Sequence, residues 1–232
     1  MTDARITALL DDPVRAALTT ANRALAQGGP PAWRFLPEVA PFAAIADRTD
    51  RAFAALAALI PPDGRVALVT ADPVAPPAAL TVALRSPIAQ MVLDRPAPEE
   101  PPGPGHVVLG AADVPEMIDL TGRTRPGPFG PRTIEFGHYI GLRIDGALMA
   151  MAGERMRFDR FVEISAVCVD PAHRGKGFAA LLMIRLARRI QARGLTPFLH
   201  VFADNASAIA LYGKLGFARR RTLHLTVLSA AA

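Results

Sequence analysis

The sequence predicts an α+β chain in three parts: a smaller α+β N-terminal domain over residues 1–94, a linker over 95–105 and a second α+β domain over 106–232. Three features predict this. Residues 95–105, RPAPEEPPGPG, hold five prolines and two glycines in eleven positions, the composition of a semi-rigid, extended connection. Asp145-Gly146 stands between alternating apolar runs and marks a hairpin. A strand over 162–169 stops at Asp170-Pro171 and gives way to a glycine-bearing loop and a helix.

In the N-terminal part, Asp12-Pro13 caps a helix expected to run to about residue 27 and to stop at Gly28-Gly29. Trp33 and Phe35 follow in a proline-punctuated stretch. Phe53, Leu56 and Ile60 recur at helical spacing over 47–60, and Pro61-Pro62-Asp63-Gly64 ends that helix. Strands are expected over 65–70, 80–84 and 88–93. No phosphate loop, metal-ligand spacing or nucleophile pattern occurs in these residues.

Beyond the linker, 106–109 reads as a short strand and Asp113 opens a helix. Residues 123–132, RTRPGPFGPR, are rich in turn formers and form a candidate substrate loop, with Phe129 either a lid residue or a buried anchor. The hairpin then pairs 139–144 with 147–152. After the central strand, a helix runs to about residue 193, followed by a strand over 198–202, a helix over 206–215 and a last strand over 223–228.

The chain carries 26 Lys and Arg against 21 Asp and Glu, a net charge of +5, and half its residues are hydrophobic. A single cysteine, Cys168, excludes an intrachain disulfide and a cysteine-based zinc site. No signal-peptide pattern and no run of 18 apolar residues occurs, so a soluble, cytoplasmic protein without a membrane partner is expected. The basic balance would suit nucleic acid, yet aromatics are few and no nucleic-acid signature appears, so that partner ranks last. Much of the arginine instead lies on the helix beside the glycine loop, where it would steer an anion or simply form a solvated face.

The loop reads Arg174-Gly175-Lys176-Gly177-Phe178-Ala179-Ala180. Strand, glycine loop and helix N-terminus together hold phosphate, because unpaired N–H groups and the positive end of the helix dipole face the anion. Arg174-x-x-Gly177-x-Ala179 resembles the acyl-CoA pyrophosphate motif of the GNAT N-acetyltransferase superfamily. The stretch from Asn205 through Tyr212 to Gly216-Phe217 is similar to its second signature. The resemblance covers about residues 104–232 and is nearest to the FR47-like branch. Ala179 stands where many members have glycine, an accepted variant.

This resemblance implies a mixed, mostly antiparallel twisted sheet flanked by helices, an α-β-α arrangement, with acetyl-CoA as cosubstrate and no metal. A small-molecule or peptide amine would be the acceptor, attacking directly in a ternary complex. The alternative is a non-catalytic acyl-CoA-binding sensor. Residues 167–169 (Val167, Cys168, Val169), the loop from Arg174 to Ala180 and Asn205 would bind the cofactor, Asn205 also serving as a helix N-cap. Glu163 is the first candidate general base, with a raised pKa; otherwise it is a strand carboxylate ion-paired to an arginine. His200 is the second candidate base, or else a hydrogen-bonded structural residue. Tyr212 is the candidate acid toward the CoA sulfur, or else a core aromatic. Cys168 is expected to be a core thiol rather than a nucleophile. The N-terminal part is expected to help shape the acceptor cleft.

Overall fold

The computed structural model describes residues 8–231. A single mixed sheet runs through them in the order β1-β2-β3-β4-β11-β5-β10-β9-β8-β7-β6. Its strands are β1 (Ala26–Gly29), β2 (Ala32–Phe35), β3 (Phe42–Ile45), β4 (Val66–Thr70), β5 (Leu80–Val92), β6 (Val107–Leu109), β7 (Tyr139–Ile144), β8 (Ala147–Phe158), β9 (Phe161–Val169), β10 (Thr196–Phe202) and β11 (Ala218–Ala230). The helices are α1 (Pro13–Thr19), α2 (Asp50–Leu59), α3 (Val114–Thr124), α4 (Phe178–Ala192) and α5 (Ala206–Lys214). Only β3–β4 and β9–β10 pair in parallel; the other ladders are antiparallel.

The expected two strands over 80–84 and 88–93 are one strand, β5. Pro87 does not break it because β10 pairs with β5 only up to Ile88. On that side Pro87 lies just beyond the ladder, where its carbonyl accepts from the Ala203 N–H at 3.1 Å and its missing N–H costs little. β5 lies between β10 and β11, so the residues before and after 95–105 share one sheet. The segment 95–105 connects two parts of that sheet rather than two separate sheets, and its course is tied to α4. Gln191 Oε1 accepts from the Ala97 N–H at 2.8 Å, and Arg185 donates to Glu100 at 2.7 Å and to the Pro104 carbonyl at 2.9 Å.

The first helix is shorter than its sequence suggested. Asp12 caps α1 through the Arg15 N–H, but the helix ends at Thr19 instead of running to residue 27. Thr19 and Thr20 turn their hydroxyls back on the Arg15 and Ala16 carbonyls, and residues 26–29 are recruited as β1 against β2. β-Branched residues propagate helix weakly, and here pairing in the sheet wins.

Helices cover both faces of the sheet. Ala150, Ala152, Val162 and Ile164 pack with Leu182, Leu186 and Ile190 of α4. On the other face Leu148, Met151 and Cys168 pack with Met117 and Leu120 of α3. Met151 lies there by strand alternation, while Leu148 and Cys168 lie there because register shifts at residues 149 and 166 reverse it, so α3 and α4 sandwich β8 and β9. The hairpin forms where expected, with both Asp145 (φ 51°) and Gly146 (φ 82°) left-handed, as a tight two-residue turn between β7 and β8 requires.

Candidate functional site

Two irregularities in β9 and β10 open a cleft in the sheet. The strands pair only between Phe161–Glu163 and Thr196–Phe198 and then diverge, β10 continuing along β5 while β9 stays with β8. A bulge in β9 marks the splay, with Ala166 at φ 53° and a register shift against β8 between Met151 and Gly153. Past the bulge, the Asp170 N–H bonds the Met149 carbonyl. Alternation therefore turns the backbone groups of Val167 and Val169 the other way, toward the open wedge.

The glycine loop closes one end of this wedge. Gly175 (φ 77°) and Gly177 (φ 79°) take left-handed conformations, and a Cβ added at either would meet no atom within 4 Å. Backbone torsion, not crowding, selects glycine, and the space above the loop is free for a ligand. Gly177 provides no side-chain cap to α4, so the first N–H groups of that helix are left for whatever lies in front of them. Across the wedge, Asn205 caps α5 through the Ala208 N–H at 3.1 Å and also reaches the cleft.

The resulting cavity is about 700 Å³. Of the residues expected from sequence, Val167, Cys168, Val169, Arg174, Gly175, Gly177, Phe178, Ala179, Ala180, His200, Asn205 and Tyr212 line it; Lys176 and Glu163 do not. Thr124 to Pro128 of the turn-rich loop also face it, and the far wall comes from the N-terminal residues Phe42, Arg65, Val69 and Ile88 together with Arg155, Met156 and Leu225. Uncapped helix start, left-handed glycines, free strand edge and long apolar cavity fit a phosphate-headed ligand with an extended amide-bearing arm, as acetyl-CoA is.

Both candidate bases are engaged by other side chains. Glu163 is fully buried and receives two hydrogen bonds from Arg155, Nε to Oε2 at 2.8 Å and Nη2 to Oε1, while Oε1 also meets His200 Nδ1 at 2.8 Å. Burial pushes its carboxyl up, but the Arg155 guanidinium and then His200 outweigh that and bring it down to about 2. The expected raised pKa is thus reversed, and the arginine ion pair is what the structure contains.

His200 has neither ring nitrogen to spare. Arg220 Nη1 donates to Gln90 Oε1 at 2.9 Å, so the Gln90 amide nitrogen faces the Leu10 carbonyl at 2.8 Å and His200 Nε2 at 3.0 Å. Gln90 donates there, Nε2 accepts, and the ring proton sits on Nδ1, donated to Glu163. His200 presents a ring edge to the cavity, not a base.

Tyr212 borders the cavity from α5, and burial raises its phenol pKa. Burial also pushes the Cys168 thiol up to about 11, as suits a core thiol packed among Met117, Met151 and Tyr139. Sequence reasoning missed Arg155. The turn at Asp159-Arg160 pairs Phe158 with Phe161, so counting back from it sets residue 156 beside residue 163; the register shift between Glu154 and Arg157 brings Arg155 there instead, and nothing local in the sequence marks that shift. The walls from Phe42, Arg65 and Leu225 had no local signal.

Among the described residues, no group of three or more His, Cys, Asp or Glu could hold a metal ion, and no helix is long and apolar enough to cross a membrane.

Comparison with known proteins matches residues 139–225 to the FR47-like protein family. A protein described as an acetyltransferase from the GNAT family of Novosphingobium aromaticivorans superposes with a TM-score of 0.90 and 43% identity, over 96% of this chain and 99% of that one. The [ribosomal protein bS18]-alanine N-acetyltransferase of Salmonella typhimurium is 31% identical over 117 residues, covering 47% of this chain and 78% of the relative. The N-alpha-acetyltransferase RimI of Mycobacterium tuberculosis is 40% identical over 85 residues, 35% of this chain, and the match spans about half of that relative's length, 52%. With the splayed strands, the glycine loop and these relatives in agreement, the chain belongs to the GNAT superfamily of N-acetyltransferases as an FR47-like member.

Proposed function

We propose that this protein transfers an acetyl group from acetyl-CoA to a primary amine by direct attack within a ternary complex. The observation that carries this is the glycine loop at the uncapped start of α4, opening onto a wedge with free strand-edge amides. Acetyl-CoA supplies a thioester. The N–H groups at the start of α4 and the Arg174 side chain would hold its pyrophosphate, and the backbone of Val167 and Val169 its amide-bearing arm. Asn205 stands on the opposite wall.

In this reaction the amine nitrogen bonds the thioester carbon and the carbon–sulfur bond breaks. The amine must lose its proton, and the departing sulfur must gain one. Tyr212 is the group for the sulfur: its burial keeps the phenol protonated and able to donate a hydrogen bond as negative charge develops.

Glu163 and His200 are not free to take the amine's proton, so the cavity itself does the corresponding work. Arg65, Arg125, Arg155 and Arg174 line it, and among the described residues no Asp or Glu does. A cationic, partly desolvated site disfavours an ammonium ion and favours the neutral amine that attacks, with water carrying the proton away.

The same lack of a base is what a non-catalytic acyl-CoA sensor would show. Calorimetric titration with acetyl-CoA, beside Gly177→Glu, followed by an amine screen read as thiol release, separates the two. Binding abolished by Gly177→Glu together with amine-dependent thiol release supports the enzyme. Binding without release with any amine supports the sensor, and no binding by the unsubstituted protein sinks both.

A further inference from the structure

The acceptor side of the cavity has a chemical signature of its own. Phe42, Met156 and Ile88 belong to one apolar cluster against which Leu225 packs, and all four face the cavity. Beside this apolar wall stand two cations without matching carboxylates. Arg65 and Arg125 are exposed at the cavity and have no ion-pair or hydrogen-bond partner for their side chains among the described residues. Arg155 lies over the Phe42 ring with its guanidinium carbon 4.8 Å from the centroid. Glu163 engages its Nε and Nη2, and its Nη1 has no hydrogen-bond partner among the described residues. Glu163, held in turn by His200 and His200 by Gln90, therefore acts as a buried brace that fixes the direction of Arg155.

Such a site repels a polyamine or a lysine-rich segment, whose extra ammonium groups would find no carboxylate. It suits a molecule that brings its own anion together with an apolar body. Resting on the acetyl-transfer reading above, we propose that the acceptor is a free amino acid with an apolar side chain, its carboxylate held by the cleft arginines and its side chain laid on the Phe42–Met156–Leu225 wall. The amine would be acetylated with C–N bond formation and C–S bond cleavage as already described, its proton passing to water.

The test compares four acceptors at equal concentration with saturating acetyl-CoA: L-phenylalanine, L-phenylalanine amide, phenethylamine and spermidine. A charge-assisted pair lost from a partly buried site corresponds to roughly a 10- to 100-fold change. L-Phenylalanine is expected to exceed phenethylamine in kcat/KM by about that factor, with spermidine lowest. In the double variant Arg65→Met, Arg125→Met, whose sites are exposed, the ratio of L-phenylalanine to phenethylamine should fall by about tenfold. Phenethylamine or spermidine matching L-phenylalanine overturns the proposal, as does an unchanged ratio in the variant. A preference for the amide points instead to a peptide N-terminus and also overturns it. If no acceptor turns over, calorimetry with N-acetyl-L-phenylalanine and N-acetylphenethylamine on the CoA-saturated protein decides the matter, tighter binding of the carboxylate supporting the proposal and equal or weaker binding sinking it. Failure of CoA itself to bind defeats the acetyl-transfer reading, and the same two compounds titrated into the protein alone still decide the carboxylate preference.

Discussion

Glu163 and His200, the two side chains that the sequence offers as bases, hydrogen-bond to each other at 2.8 Å instead of offering a free base to the cleft. Arg155 completes the pair on the carboxylate side and Gln90 on the imidazole side. Removing one member of a buried ion pair leaves its partner uncompensated, at about 3–5 kcal/mol. Glu163→Gln is therefore expected to lower unfolding stability by that order, measured by urea denaturation at pH 7. A variant as stable as the parent, with kcat reduced about a thousandfold, would restore Glu163 as a base.

The same carboxylate sets a limb of the stability–pH curve. Its folded pKa of about 2 lies below the ordinary 4.5, so its stabilisation is present above pH 4.5 and is lost as pH falls toward 2. The drop amounts to about 3 kcal/mol over that window. The difference in stability between the parent and Glu163→Gln should shrink by this amount between pH 5 and pH 2. A gap that stays constant with pH would show that Glu163 is not held ionised in the folded protein.

Tyr212→Phe removes the proposed donor to the departing sulfur and leaves the apolar ring that packs near Phe217. A fall in kcat of about a hundredfold is expected, with the acetyl-CoA affinity changed by no more than about twofold. Weakened binding at unchanged kcat would make the ring a packing element only.

Gly177 tests the cofactor end. At φ 79° with open space where a Cβ would be, Gly177→Ala meets strain but no clash, about 1–2 kcal/mol. Gly177→Glu adds bulk and negative charge where the pyrophosphate would lie. Calorimetry should show acetyl-CoA binding weakened at least roughly tenfold in the glutamate variant and less in the alanine variant. Equal affinities would place the pyrophosphate elsewhere.

Cys168 offers a check on the proposed direct transfer. With its thiol pushed up to about 11 by burial, little thiolate exists at pH 8. Folded protein should resist alkylation by iodoacetamide for hours while denatured protein reacts in minutes. Rapid labelling of the folded chain, protected by acetyl-CoA, would revive a nucleophilic role.

What could be seen in the sequence was local, and what could not was set by pairing at a distance. Asp145-Gly146, the Arg174–Ala180 loop and the Asn205 cap each depend on torsions or hydrogen bonds within a few residues, and each stands where its residues place it. Ser86-Pro87 looked like a break between strands because the sequence does not reveal that the β10 ladder ends at Ile88. Residues 26 and 27 looked helical because the hairpin that takes them over depends on β2 finding β3. Glu163 occupies the position where a base was expected, and the cross-strand reach of Arg155, with His200 beside it, sets its charge state.

The place of β11 bears on how the cleft comes into being. Residues 218–230 fit between β4 and β5, strands made well over a hundred residues earlier. During translation β4 and β5 must therefore wait, without their shared neighbour, until these residues leave the ribosome. Contacts of such long sequence separation form slowly, because a large loop must close before any of them is gained. The wall carrying Leu225 and Val227 is thus the last of the described cavity walls to form, and a nascent chain stalled before residue 218 would hold the glycine loop without that wall. Ribosome-bound chains would then present the glycine loop before the cleft beside it is enclosed.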